Sequence, residues 1–258
     1  MRAPLNGRYG HGVALLTLDR PERLNCLSLE LLDALATKLA EAEERRDVGA
    51  VVIAAEGRHF CTGADLDEVM DRRADRNRLA SFVERGHDVL ARIEASPLPV
   101  LAAVQGYCLA GGLELVMAVD VVIAATDARL GCQHARSGLV PGWGGTQRLP
   151  RLVGLRRALE LMYSGRWLDA DEARAWGLVN RVVDANGLAQ AALDEAKALA
   201  RRSPEGLAAM KRMARRGLDL PLSDGLALER TEAVEVLLGE NVEEGLRAFR
   251  ERREPRFR

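Results

Sequence analysis

Two side chains of the right type for proton transfer stand beside glycine-rich turns. Glu114 lies in "AGGLELVMAVD" (110–120) and His134 in "LGCQHARSGLVPGWGGTQRL" (130–149). A carboxylate and an imidazole are groups that give and take protons near neutral pH, and a neutral imidazole, with an ordinary pKa of about 6.5, can do either. Between Ala128 and Pro150 there is no Asp or Glu, so any carboxylate partner of His134 comes from another part of the chain. Plainer roles are open to both: Glu114 as a first-turn acid facing the positive end of a helix, His134 as a polar wall residue.

The glycines point to a third kind of chemistry. Gly111 and Gly112 are expected at the start of a helix that follows a strand. Backbone N–H groups there have no intrahelical partner, and glycine lets a ligand atom approach them. A second turn, "GRHFCTGADLDEV" (57–69), places Gly63 and Ala64 just ahead of an acidic helix start at Asp65. Two such turns in neighbouring crossovers can aim their amides at one oxygen, which makes an oxyanion hole. Tight packing of helix on strand is the structural alternative for the same glycines.

The elements that must position these turns read as α/β. "GVALLTLD" (12–19) and "GAVVIAAEG" (49–57) are short, Val-, Leu- and Ile-rich strands. Between them Leu29, Leu32, Leu35 and Leu39 recur at helical spacing behind a Ser28 cap, a crossover that favours a parallel pair. The pattern repeats: a polar helix over roughly 76–95, a strand at 98–106, a helix from Gly111, a strand at 120–127. From Leu188 onward only helices follow, with Pro204 and Pro221 where new ones begin. Residues 1–187 are thus expected to form the core domain that carries the site, and 188–258 a helical region. The charge run "DRRADRNR" (71–78) is either a mobile surface segment or a solvated helix face.

Composition narrows the function. The 258 residues carry 37 basic and 38 acidic side chains, so no overall field favours nucleic acid or an anionic membrane. At 4% aromatic residues, base-stacking platforms are not expected. The four cysteines form no CxxC pair, which argues against a zinc site or a disulfide framework. No metal-binding constellation is expected, since Asp65, Asp67 and Glu68 suit a helix start better than a chelate. "MRAPLNGRYGHG" lacks an apolar signal core, and "LVMAVDVVIAA" is too short to cross a bilayer; a cytoplasmic, membrane-free protein is expected.

Taken in order, "HFCTGADL" (59–66), "VQGYCLAGGLELVMAVD" (104–120) and "GLVPGWGGTQRLPRLVG" (138–154) resemble the crotonase (enoyl-CoA hydratase/isomerase) superfamily over nearly the whole chain. The resemblance implies a spiral of ββα units with a C-terminal helical oligomerisation region, assembled as a homotrimer or homohexamer. It implies an acyl-CoA substrate whose enolate is held by the amides of Ala64 and Gly111. No separate cofactor is implied, because coenzyme A is part of the substrate. Glu114 matches the first of two glutamates that hydratases of this family use. The second belongs six residues before "VPG", where this chain has His134, a departure that leaves Glu114 and His134 as the acid–base pair. Cys61, Asp65, Leu66, Tyr107 and Trp143 are expected near the acyl group, with bulky Trp143 narrowing it or merely closing its loop. Cys61 and Tyr107 can equally be core. Arg23, Phe249, Arg252, Phe257 and Arg258 are expected near CoA, the basic ones suiting its phosphates, unless the terminal arginines are a solvated face. The activity implied is enoyl-CoA hydration. Double-bond isomerisation, another enolate-forming reaction, or acyl-CoA binding without chemistry are the alternatives.

Overall fold

The chain opens with a hairpin: β1 (Leu5–Gly10) runs antiparallel to β2 (Gly12–Leu18), with the turn at His11 in the left-handed region. The computed structural model describes residues 3–257. α1 (Leu29–Glu44) starts at Ser28, whose hydroxyl accepts from Leu31 N at 3.2 Å, and leads into β3 (Val48–Ala55). α2 (Leu66–Arg72) and α3 (Arg76–Ala95) separate β3 from β4 (Val100–Val104). Next come β5 (Tyr107–Leu109), α4 (Gly111–Ala118), β6 (Val121–Ala125) and β7 (Arg129–Gly131). α5 (Gly145–Val153), α6 (Leu155–Ser164), β8 (Leu168–Asp169), α7 (Ala170–Ala175) and β9 (Arg181–Val183) follow. The chain ends in α8 (Leu188–Ala200), α9 (Pro204–Gly217), α10 (Leu222–Leu237) and α11 (Glu240–Glu251).

Six strands form the main sheet in the order β1-β2-β3-β4-β6-β9, parallel from β2 onward. Its central strands are apolar on both faces because both are covered. Val51 and Ile53 of β3, Val100 and Ala102 of β4, and Val122 and Ala124 of β6 face the core built with α1, α3 and α4. The alternate residues Ala50, Val52, Leu101, Ala103, Ile123 and Ala125 face Leu188, Ala192 and Ala196 of α8. The boundary expected at 187/188 therefore cuts through a packed layer, because α8 covers the sheet. Pro221 is also shifted from expectation, standing at the cap of α10 rather than inside its first turn.

A second sheet, β5-β7-β8, explains how the site is assembled. After β3, Cys61 bridges to Cys108 in β5, so the segments beyond β3, β4 and β6 line up along this smaller sheet. Three successive ββα coils result: β3 to Cys61 to α2, β4 to β5 to α4, β6 to β7 to the loop before α5. Each leaves the small sheet at an equivalent level, at Gly63–Ala64, Ala110–Gly111 and Cys132–His134.

α9 is tied to the core by a charge network. Lys211 Nζ meets Asp120 Oδ2 at 2.7 Å, Asp120 Oδ1 meets Arg215 at 2.9 Å, and Arg215 meets Glu94 at 3.1 Å. Glu94 takes Arg148 Nε and Nη2 at 2.8 and 2.5 Å, and Arg148 Nη1 donates to the Trp143 carbonyl at 2.7 Å. The 71–78 run spans the α2–α3 junction, where Asp75 caps α3 and Arg78 pairs with Asp71 at 2.6 Å.

Candidate active site

The two glycine-flanked turns meet. Gly63 has φ +106, and Ala110, the residue before α4, has φ +49 and ψ −117, a conformation that L-residues rarely adopt and that costs about 1–3 kcal/mol. Ala110 is held there by its N–H to Gly131 O at 2.9 Å and by Glu114 N–H to its carbonyl at 3.0 Å. The sharp bend leaves Gly111 N at the open first position of α4. A Cβ built on Gly63 would stand 2.9 Å from Gly111 N, and one built on Gly111 would stand 3.2 Å from Ala64 N. The amides of Ala64 and Gly111 are near neighbours. On either side of Ala64 the chain is committed: Leu27 N donates to Gly63 O, and Asp65 N to Leu27 O. Among the described residues no backbone carbonyl takes the Ala64 amide.

Glu114, one turn into α4, is 2% exposed. Its Oε1 accepts from Trp143 N and Gly145 N, both at 2.8 Å. Those amides exist as donors because Gly144, at φ +97, turns the chain into α5 and opens that helix's first turn toward Glu114. Oε2 stands 3.6 Å from His134 Nε2, an ion contact rather than a hydrogen bond. On the other side, His134 Nδ1 lies 3.3 Å from Cys132 Sγ. Burial pulls the imidazole pKa down, but the contacts with Cys132 and Glu114 outweigh it and leave the pKa raised to about 9. The site therefore favours the protonated imidazole.

Other expected residues fall in different places. Trp143 is 3% exposed, its ring tilted 54° to Phe82 with centroids 5.5 Å apart. Leu66 opens α2 next to Ala64 and is exposed. Asp65 is buried and spent within the fold: it accepts from Arg20 at 3.0 Å and Arg23 at 3.1 Å, and caps α2 through Asp67 N. Burial raises its pKa, yet Arg20, Cys26 and Arg23 leave it lowered overall. Cys61 is fully buried, its thiol pushed up to about 12 by burial, so it is a core residue and not a lining one. Tyr107 stacks on His59 at 4.0 Å and meets the Trp167 ring at 4.8 Å, and is itself exposed.

Of the residues expected at CoA, Arg23 is held by Asp65 and Asp67 while keeping 44% of its side chain exposed. Phe249 is exposed on α11, and Arg252 ends that helix in the left-handed region. Phe257 packs beside Gly245. Arg258 lies outside the described residues.

Sequence reasoning missed the two amides that grip Glu114 and the thiol behind His134. The first had a signal, since "GWGG" marks a helix start with free donors. The second had none, because Cys132 is two residues from His134 and faces it only through the local turn.

The sequence matches the family described as "Enoyl-CoA hydratase/isomerase" over residues 8–258. It is 36% identical over 252 residues to the mitochondrial methylglutaconyl-CoA hydratase of Homo sapiens, covering 96% of this chain and 74% of that one. Among solved structures, an enoyl-CoA hydratase from Polaromonas sp. JS666 superposes with a TM-score of 0.95 at 33% identity, covering 98% and 99% of the two chains. One from Bacillus anthracis gives 0.92 at 35%, covering 98% of each.

Proposed function

Since this chain belongs to the enoyl-CoA hydratase/isomerase family, we propose that it hydrates a 2-enoyl-CoA thioester through an enolate. The observation that carries the reading is a buried carboxylate, fixed by two amides, beside two further amides that flank one small space.

In this reading the thioester oxygen sits between Ala64 N–H and Gly111 N–H, donors that need no reorganisation as charge builds on that oxygen. Glu114 Oε1 is spent on Trp143 and Gly145, so Oε2 takes a proton from water as the water oxygen bonds to Cβ. The enolate then collapses, and the imidazolium of His134 protonates Cα. Transfer of the proton from Glu114 to His134 across the 3.6 Å gap resets the pair. Water's hydroxyl ends on Cβ and a hydrogen on Cα; no electrons are exchanged, so coenzyme A within the substrate is the one cofactor group required. Arg23, turned outward, serves the nucleotide end by exchanging Asp67 for a phosphate. The reading keeps the cytoplasmic setting and the homotrimer or homohexamer implied by resemblance. Among the described residues no helix is long and apolar enough to cross a membrane.

The single carboxylate favours a second reading, double-bond migration, in which Glu114 moves a proton between carbons. Both are tested with crotonyl-CoA and a 3-enoyl-CoA, following the conjugated thioester absorbance. Loss of absorbance with crotonyl-CoA, abolished in Glu114→Gln and His134→Ala, supports hydration. Gain of absorbance from the 3-enoyl substrate alone supports isomerisation. Full activity in Glu114→Gln would refute both.

A further inference from the structure

We propose that Trp143 closes the inner end of the acyl site and restricts the enzyme to short-chain 2-enoyl thioesters. The inference rests on the acyl-CoA reading above and adds the substrate class. The indole spans the gap between α3 and α4, and two glycines make the room for it. A Cβ at Gly86 would stand 2.1 Å from the indole Nε1 and 2.2 Å from Cε2; one at Gly111 would stand 2.7 Å from Cζ3. The same Gly111 supplies one of the paired amides, so the ring lies directly against the place assigned to the thioester oxygen. Phe82 backs it, and the ring is nearly sealed from solvent.

The ring is also fixed at its backbone. Trp143 N donates to Glu114 Oε1 at 2.8 Å, and its carbonyl accepts from Arg148, itself clamped to Glu94. These bonds fix the backbone that carries the indole, and Gly86, Gly111 and Phe82 confine the ring itself. A substrate with its oxygen at the amides and its Cβ at Glu114 therefore runs its remaining chain toward the indole. Packed interiors yield little to added volume. In an open apolar pocket each further buried methylene would strengthen binding about fourfold; here added carbons have no space to enter.

The test compares kcat/KM for crotonyl-, 2-hexenoyl- and 2-decenoyl-CoA in the wild type, Trp143→Phe and Trp143→Ala. Calorimetric Kd values for butyryl- and decanoyl-CoA run in parallel, with thermal melting to establish folding. Expected is a fall of about a hundredfold from crotonyl to decenoyl in the wild type. Trp143→Ala should flatten or invert that ratio by at least about tenfold, with Trp143→Phe between. A wild type that accepts decenoyl-CoA as well as crotonyl-CoA overturns the inference and leaves hydration standing. So does a folded Trp143→Ala that keeps the wild-type ratio, and if Trp143→Ala does not fold, Trp143→Phe decides. Absence of turnover with any substrate refutes the hydration reading, and the butyryl-to-decanoyl Kd ratio then decides the chain-length claim alone. If no acyl-CoA binds, both fall.

Discussion

Replacing His134 with Gln should remove a specific pH dependence of stability. In the fold the imidazole pKa is raised to about 9, with burial opposing and Cys132 and Glu114 supporting the proton, against about 6.5 in the unfolded chain. That difference is worth about 3 kcal/mol. A unit charge pair at 3.6 Å in an effective dielectric of about 20 gives a gross attraction of about 5 kcal/mol, so burial removes part of the gain and leaves the right size. The sign follows from proton counting. Below about pH 6.5 both states hold the proton and the contribution is whole. Between 6.5 and 9 the unfolded chain loses it while the fold keeps it, so stability falls by about 1.4 kcal/mol per pH unit. Above 9 the contribution is gone. The assay is urea unfolding of wild type and His134→Gln at pH 5.5, 7.5 and 9.5, with the difference between them isolating this group from other titrations. A difference that stays flat across that range would refute the reasoning, as would an imidazole titration by NMR at or below 6.5.

Three other outcomes are expected. Gly111→Ala, favourable for a helix in isolation, should instead destabilise the fold by thermal melting and cut crotonyl-CoA turnover by about 10²–10³, because its methyl would crowd Trp143 and Ala64 N. Arg148→Gln breaks the contacts to Glu94 and to the Trp143 carbonyl. It should lower stability by about 2–3 kcal/mol in urea unfolding and reduce kcat more than it raises KM, since the loop it holds positions Glu114. Asp65→Asn should weaken the fold by about 2–4 kcal/mol at pH 7. Because the Asp65 pKa is lowered in the fold, that deficit is present above the ordinary carboxylate range and shrinks as pH falls through the folded pKa, as unfolding at pH 3 and 7 would reveal.

Strands and helices whose apolar spacing is set by the sheet were readable from the sequence. α3 was expected over 76–95 and found at Arg76–Ala95, and the break at Gly111 marked the start of α4. β1 was not anticipated, because as an edge strand it buries only Leu5 and carries no periodic signal. The small sheet was missed for a similar reason, since three-residue strands such as β5 and β7 are too short to show a period. α8 looked like its neighbours in α9–α11 because helical periodicity marks a buried face without saying what buries it. At the site, motif residues were legible as types, but the sequence did not decide between lining and structural places for Asp65 and Cys61. An acid at a helix start and a thiol in a turn look the same whether they face a ligand or, as here, two arginines and the core.

The stacked coils have a consequence for which changes of length the chain can absorb. Each coil exits beside one group of the proposed site, and the exits are aligned by the rungs that join one coil to the next. Extra residues placed in the solvent-facing turn between α2 and α3 would leave those rungs untouched. Removing a single residue between Tyr107 and Gly111 would rotate one group out of the set while the other two stayed put. The outer helices are thus free to drift in length, whereas the inner rungs behave as a gauge that admits no error.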